Sequence, residues 1–167
     1  RHAFRIRAKW GARRDGTLVA VETEVVSDAG PYAYTSPKVL GNAALLATGS
    51  YEIPHVAVDA LTVATNNVPG GAFRGFGGPQ ATFAAELQMD KLAAALGLDP
   101  VAIRLKNALT DDSIWSVGTR GPKGVTIKQV ITDLAREARW DPERTRPVAS
   151  APHLRRGRGF ACAVKNI

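Results

Sequence analysis

The sequence predicts an α+β fold, and three observations carry that prediction. Two segments of period-two hydrophobicity flank an Asp-Gly turn near the start. Three segments of helical period occupy the second half. A glycine-rich stretch divides the two regimes. Strands followed by helices favour segregated α+β architecture over an alternating, doubly wound parallel sheet. The expected order is an N-terminal antiparallel β-hairpin and a further strand, a glycine-rich loop, then three helices and a final strand. By residue, 1–66 are mainly strands, 67–80 the glycine-rich loop, 81–140 helical and 141–158 a linker, and 159–167 start the next lobe.

Each element has a local reason. Phe4-Arg5-Ile6-Arg7-Ala8-Lys9-Trp10 alternates apolar and basic residues, as on a half-buried strand. Asp15-Gly16 is the hairpin signal. Thr17 to Val26 follows as its partner, with Leu18, Ala20, Glu22 and Glu24 on one face and Val19, Val21, Thr23 and Val25 on the other. Glu22 and Glu24 can meet the basic first strand, for about 0.2–1 kcal/mol per good pair. Asp28 to Pro37 is loop, broken at Gly30-Pro31. The apolar, alanine-rich run from Pro37 to Thr48 includes a short helix, and Val56 to Thr65 alternates again as a third strand.

The helices carry their own punctuation. Pro79 opens one that ends near Leu96 before Gly97, with Ala85, Met89, Leu92 and Leu96 on one face. Asp99-Pro100 caps a second, running to about Ala108. Thr126-Ile127-Lys128-Gln129 has the capping-box form and opens a third to about Arg139, with Ile127, Val130, Ile131, Leu134 and Ala138 as its apolar stripe.

Composition limits the function classes. At 167 residues and 45% hydrophobic, the chain suits one globular domain, or two small lobes sharing a core, and not a disordered chain. Cys162 is the only cysteine, so no internal disulfide and no cysteine-based zinc or iron–sulfur site can form. The three histidines (His2, His55 and His153) are too scattered to suggest a metal site. No apolar run approaches membrane-spanning length. The chain opens on Arg1 without a signal-peptide pattern, and reads as a piece of something longer.

The net charge of +7 raises nucleic acid, an anionic cofactor or an acidic partner as ligands. The basic residues cluster at the ends: Arg1, Arg5, Arg7, Lys9, Arg13 and Arg14, then Arg144, Arg146, Arg155, Arg156 and Arg158. No helix carries a continuous basic stripe, and the three tryptophans lie far apart. That pattern weakens the nucleic-acid reading and favours an exposed, partner-facing surface.

One segment is chemically informative: Gly70-Gly71-Ala72-Phe73-Arg74-Gly75-Phe76-Gly77-Gly78-Pro79-Gln80. Glycines let backbone amides approach a ligand, and the helix that follows adds free amides and partial positive charge. Arg74 supplies a forked cationic donor, and either phenylalanine can face a planar substrate. The segment lacks the Gly-Lys-Ser/Thr of a P-loop. It also misses the third glycine of the dinucleotide fingerprint, with no βαβ unit expected around it.

The string Ala72-Phe73-Arg74-Gly75-Phe76-Gly77-Gly78-Pro79-Gln80 resembles the molybdenum-cofactor-binding subunit of the xanthine dehydrogenase and aldehyde oxidase family. Arg1-His2, the Asp15-Gly16 hairpin, Tyr51-Glu52-Ile53-Pro54, Ala85-Glu86 with Met89, Leu98-Asp99-Pro100 and Arg104-Lys106-Asn107 support the likeness. It implies a molybdenum–molybdopterin cofactor. It also implies hydroxylation of an aldehyde, N-heterocycle or related aromatic substrate with oxygen from water. Electrons then leave through iron–sulfur and FAD groups on partner subunits or domains. By the same resemblance Phe73 and Arg74 are cofactor-binding, and Phe76 packs against substrate. Counting back without a gap, Asn42 falls where purine-oxidising members carry a substrate-polarising arginine; the resemblance thus makes Asn42 substrate-binding with Phe76, and the departure argues against xanthine itself. The family's catalytic glutamate has no counterpart here, so no catalytic residue and no direct metal ligand is assigned. The implied setting is a cytoplasmic oligomer with the rest of the molybdopterin subunit and iron–sulfur and flavin subunits, without nucleic acid or membrane; the isolated piece is expected to be inactive.

Two other readings stay open at this stage: a non-enzymatic basic module binding an acidic partner or nucleic acid, and a glycine-loop domain binding another anion such as a nucleotide. Among single residues, Glu86 and Asp90 read as a solvated or interface face, and Glu52 as structural. Asp28 and Tyr32 are candidates to line a pocket. Cys162 reads as a buried, inert thiol and Met89 as helix core.

Overall fold

The computed structural model describes residues 1–142, 151 and 153–164. Strand β1 (Phe4–Ala12) and strand β2 (Leu18–Gly30) form the expected antiparallel hairpin. Helix α1 (Ser36–Leu45) leads to strand β3 (His55–Ala64), which pairs with β2 in parallel to give a three-stranded sheet of order β1-β2-β3. Helices α2 (Gly78–Leu96), α3 (Pro100–Asn107) and α4 (Ile127–Glu137) follow. The α+β class holds, and the sheet is mixed. The expectation that no βαβ unit stands near the glycine loop is corrected: β2, α1 and β3 form one, because parallel strands need a crossover and α1 supplies it.

The hairpin shows how local chemistry sets register. Gly16 turns with φ of 84°, and Arg13 N–H donates to the Thr17 carbonyl at 2.8 Å. The Arg7 guanidinium meets Glu24 at 3.2 Å, the cross-strand pair the sequence predicts. The facing pattern is corrected at Leu18, which is buried with Val21, Thr23 and Val25 and not exposed with Glu22 and Glu24. A register shift at Gly11/Ala12 leaves Val19 unopposed, so the side-chain alternation restarts beyond it.

Asp15 ties this turn to α3. It accepts the Thr17 amide at 3.0 Å and the Lys106 ammonium at 3.0 Å. The Thr17 backbone bond first, then Lys106, hold its carboxyl down, from 3.8 to about 2. A carboxyl depressed in the folded state contributes stability that is present above its unfolded pKa and lost as pH falls through the folded one. Asp15→Asn is therefore expected to flatten the acid limb of the stability curve between about pH 4 and pH 2, as read by urea unfolding across that range.

Helix ends mostly follow their caps. Asp99 accepts the Ala102 amide at 2.8 Å, and Gly97 closes α2 in the left-handed region. The capping box of α4 does not form: Thr126 makes no side-chain cap bond, and Gln129 donates to Asp133 at 2.8 Å instead. The α4 stripe is also narrower than predicted. Ile127 and Ile131 are buried, whereas Val130 and Leu134 are half exposed.

The core lies between the inner sheet face and α2. Ala81, Ala85 and Ala93 bring that helix close, with Met89 fully buried among Leu18, Val21, Tyr51 and Ile103. A second cluster joins α3 and α4 through Val101, Leu109, Ile127, Ile131 and Phe160.

The predicted final strand is corrected for its described part. Residues 159–164 alternate in burial but carry no strand ladder. The Cys162 N–H donates to the Glu86 carboxylate at 3.1 Å, where a neighbouring strand would otherwise accept. Residues 165–167 of that segment, and 143–150 and 152 of the linker with Arg144 and Arg146, lie outside the described residues. Among the described residues, no helix is long and apolar enough to cross a membrane.

Candidate cofactor and substrate site

The parallel pairing sends the carboxyl ends of β2 and β3 to one edge of the sheet, where open α/β sheets hold ligands. The two loops that leave this edge pack on each other. The Gly70 N–H donates to the Ala29 carbonyl at 2.8 Å, and the Ala72 N–H to Thr35 Oγ1 at 2.8 Å. Asp28 closes the strand ends beneath them. Hydrogen bonds from Thr65, then Asn67, then the Gly30 amide hold its carboxyl below the ordinary range. Asp28 is thus committed within the scaffold, and Tyr32 stands exposed.

Residues 70–80 then run over α1 into α2. Arg74, Gly75 and Gly77 have φ of 32°, 83° and 92°. Such angles are natural for glycine and strained for arginine, so Arg74 is held there by its surroundings. Two short turns shape the segment: Phe76 N–H to Phe73 carbonyl at 3.3 Å, and Gly78 N–H to Gly75 carbonyl at 2.8 Å. Gly77 rests directly on α1, where a Cβ would overlap the Val39 carbonyl oxygen. Phe73 is 60% exposed, Arg74 is exposed, and Phe76 is half-buried.

The sequence-predicted residues therefore gather at one edge, with one difference. Phe73, Arg74 and Phe76 share the loop surface. Asn42 lies beneath it, buried on α1, and its Nδ2 donates to the carbonyls of Gly75 at 3.0 Å and Phe76 at 2.9 Å. The amide of Asn42 thus braces the loop that carries Phe76.

The loop's chemistry suits an anionic, oxygen-rich ligand. Among the described residues the Arg74 guanidinium has no partner, and the amides of Phe73, Arg74 and Gly75 donate to none of them. Unpaired amides beside a fixed cation favour phosphate-like or oxyanion groups. The residues present fit a phosphorylated pterin of the molybdopterin type on that ground. No group of three or more His, Cys, Asp or Glu side chains that could hold a metal ion occurs among the described residues.

A second polar assembly, missed at the sequence level, ties Tyr51, α2, α3 and the 159–164 segment together. Glu86 is buried and accepts from Tyr51 Oη, from Arg104 Nε at 2.8 Å and from the Cys162 amide. Arg104, fully buried, also reaches Asp90 at 2.8 Å and the Pro100 carbonyl at 2.9 Å. The reading of Glu86 as solvated is thereby corrected; Asp90 alone keeps an exposed carboxylate. Burial, with Cys162 and Glu86 adding to it, pushes the Tyr51 phenol well above its ordinary range, so it remains a donor. Burial likewise raises the Cys162 thiol and keeps it protonated.

Residues 1–108 match the molybdopterin cofactor-binding domain family, and the chain belongs to that family. It is 49% identical over 108 residues to the nicotinate dehydrogenase large molybdopterin subunit of Eubacterium barkeri, covering 65% of this chain and 25% of that one. It is 34% identical over 170 residues to the xanthine dehydrogenase molybdenum-binding subunit of Escherichia coli O157:H7, covering 97% and 22%. The aldehyde oxidoreductase structure from Desulfovibrio gigas superposes with a TM-score of 0.76 at 35% identity, over 83% of this chain and 15% of that one. The chain thus spans about a quarter or less of the length of these relatives.

Proposed function

We propose that this chain supplies part of the cofactor and substrate site of a molybdenum hydroxylase. The complete enzyme hydroxylates an aldehyde, N-heterocycle or related aromatic substrate with oxygen from water, and passes electrons to iron–sulfur and flavin partners in a cytoplasmic oligomer. The single observation that carries this reading is the 70–80 loop: strained, braced from below, and presenting unpaired amides, Arg74 and two aromatic rings at the carboxyl ends of parallel strands. The similarity to a nicotinate dehydrogenase supports the N-heterocycle class.

When bound, the molybdopterin group supplies the two-electron redox chemistry of the hydroxylation. The protein's own contribution is binding and orientation. Arg74 and the amides beside it hold anionic or oxyanionic groups, and Phe73 packs next to them. Phe76 offers a ring face to a planar substrate, and Asn42 keeps that ring in place through the loop carbonyls. Residues 1–140 form the lobe that carries these groups.

Phe76→Ala in the complete gene product is expected to raise KM for an aromatic substrate by about tenfold, equivalent to about 1.4 kcal/mol, with molybdenum content unchanged. Loss of metal with unchanged KM would contradict this assignment.

A further inference from the structure

The glycine loop is held by more than the helix beneath it. Residues 1 and 2, distant in sequence, touch it at its entry, its apex and its exit. His2 is buried, 4% exposed, and its Nε2 is hydrogen-bonded to the fully buried Ser36 Oγ at 2.7 Å. Its ring fills the space beside Gly70, where a Cβ would come within 2.7 Å of His2 Cδ2. At the exit, Gln80 Nε2 donates to the His2 carbonyl at 3.5 Å. At the apex, Arg1 donates to the Arg74 carbonyl at 3.4 Å, and its guanidinium lies 5.1 Å from the centre of the Phe73 ring. Just beyond, the Asp28 N–H donates to the Ala3 carbonyl at 3.0 Å and fixes the Arg1–Ala3 stretch to β2.

We propose that Arg1-His2 is a clasp that sets the conformation of the loop, with His2 as a positioning residue for the reacting site. The inference rests on the reading of that loop as the cofactor and substrate surface. The physical argument is peptide planarity. A trans peptide points its carbonyl and its amide to opposite sides. Turning the Arg74 carbonyl toward Arg1 therefore turns the Gly75 N–H away, onto the side left open for a ligand. His2 fixes where the loop begins, because the ring leaves room for a glycine and nothing larger at position 70. The Ser36 bond holds one ring nitrogen of His2, and the buried Nδ1 has no hydrogen-bond partner among the described residues.

Amide hydrogen exchange on the complete gene product reads the clasp directly, beside steady-state kinetics with an aromatic N-heterocycle. His2→Ala and Gly70→Ala are expected to speed exchange across residues 70–80 by about tenfold or more, leaving α3 unchanged. Both are expected to raise KM about tenfold with a smaller effect on kcat, and His2→Gln, which keeps a nitrogen near Ser36, to recover part of each change. Unchanged exchange in 70–80, or equal acceleration in α3 and α4, overturns the clasp. If His2→Ala fails to fold, Arg1→Ala at the exposed side chain serves instead, with faster exchange expected at Phe73–Gly75; no change there overturns the proposal. A KM moved by Phe76→Ala but not by the clasp variants overturns the positioning role alone. Faster exchange with a KM indifferent to both His2→Ala and Phe76→Ala retains the clasp and sinks the site reading beneath it.

Discussion

Arg104→Ala is expected to lower stability by about 3–5 kcal/mol, because it leaves the Glu86 carboxylate buried without its cationic partner. The effect follows from burial and not from the mere presence of an ion pair. Arg104 is 0% and Glu86 8% exposed at the side chain, whereas the Arg7–Glu24 pair stands largely in water at 64% and 48%. Exposed pairs of that kind contribute about 0–1 kcal/mol. The Glu86 network also joins four pieces of chain: Tyr51 after α1, α2, α3 and the 159–164 segment. Urea unfolding read from Trp10, whose ring packs edge-on 6.4 Å from Tyr51, reports on this region. The double variant Glu86→Gln with Arg104→Met is expected to recover most of the loss, since it removes both charges together. A single-variant loss below about 1 kcal/mol would show that solvent reaches the pair.

Gly77→Ala is the second large effect, and it acts on the site. The position combines φ of 92° with a Cβ that would overlap the Val39 carbonyl oxygen. Strain of this type costs about 1–3 kcal/mol, and the overlap adds to it because the obstacle is helix backbone and cannot rotate away. The loop must lift from α1, which breaks the Asn42 bonds to Gly75 and Phe76. The expected result is a complete gene product that folds elsewhere but loses bound molybdenum and activity together. Gly118→Ala is the matched control. Its φ is also positive at 77°, yet nothing lies within 4 Å of a Cβ there, so only the backbone strain remains. Equal behaviour of the two variants would show that loop contact with α1 does not matter.

These cases show what was legible in the sequence. Local signals were: the Asp15-Gly16 turn, the Gly97 stop, the Asp99 cap and the glycine string each depend on neighbours in the chain, and each is found where predicted. Their supporting residues also have physical work in the fold. Lys106 meets Asp15, and Asn107 bridges the Gly16 carbonyl and the Leu18 amide at 2.9 Å each. Arg104, Lys106 and Asn107 therefore fasten α3 to the hairpin and to α2.

What was not legible depends on distance along the chain. Glu86 and Arg104 sit on different helices, and a charge on a helix is solvated unless a partner is brought to it. The parallel β2–β3 pairing was hidden because period-two alternation carries no strand direction. Asn42 was placed near substrate by counting residues, and only the fold shows its Nδ2 turned to the loop carbonyls. Cys162 looked like a strand residue because it stands in a short apolar run, while its amide is committed to Glu86. Arg1-His2 counted only toward the family likeness, since a lone histidine beside an arginine has no spacing that assigns it a contact.

The most direct test of the central claim is isotopic. The complete gene product would be supplied with an aromatic N-heterocycle, an artificial electron acceptor and heavy-oxygen water. The expected result is protein that retains molybdenum and a hydroxylated product labelled from the water, with turnover weakened by Phe76→Ala. Protein that retains no molybdenum and yields no labelled product would contradict it.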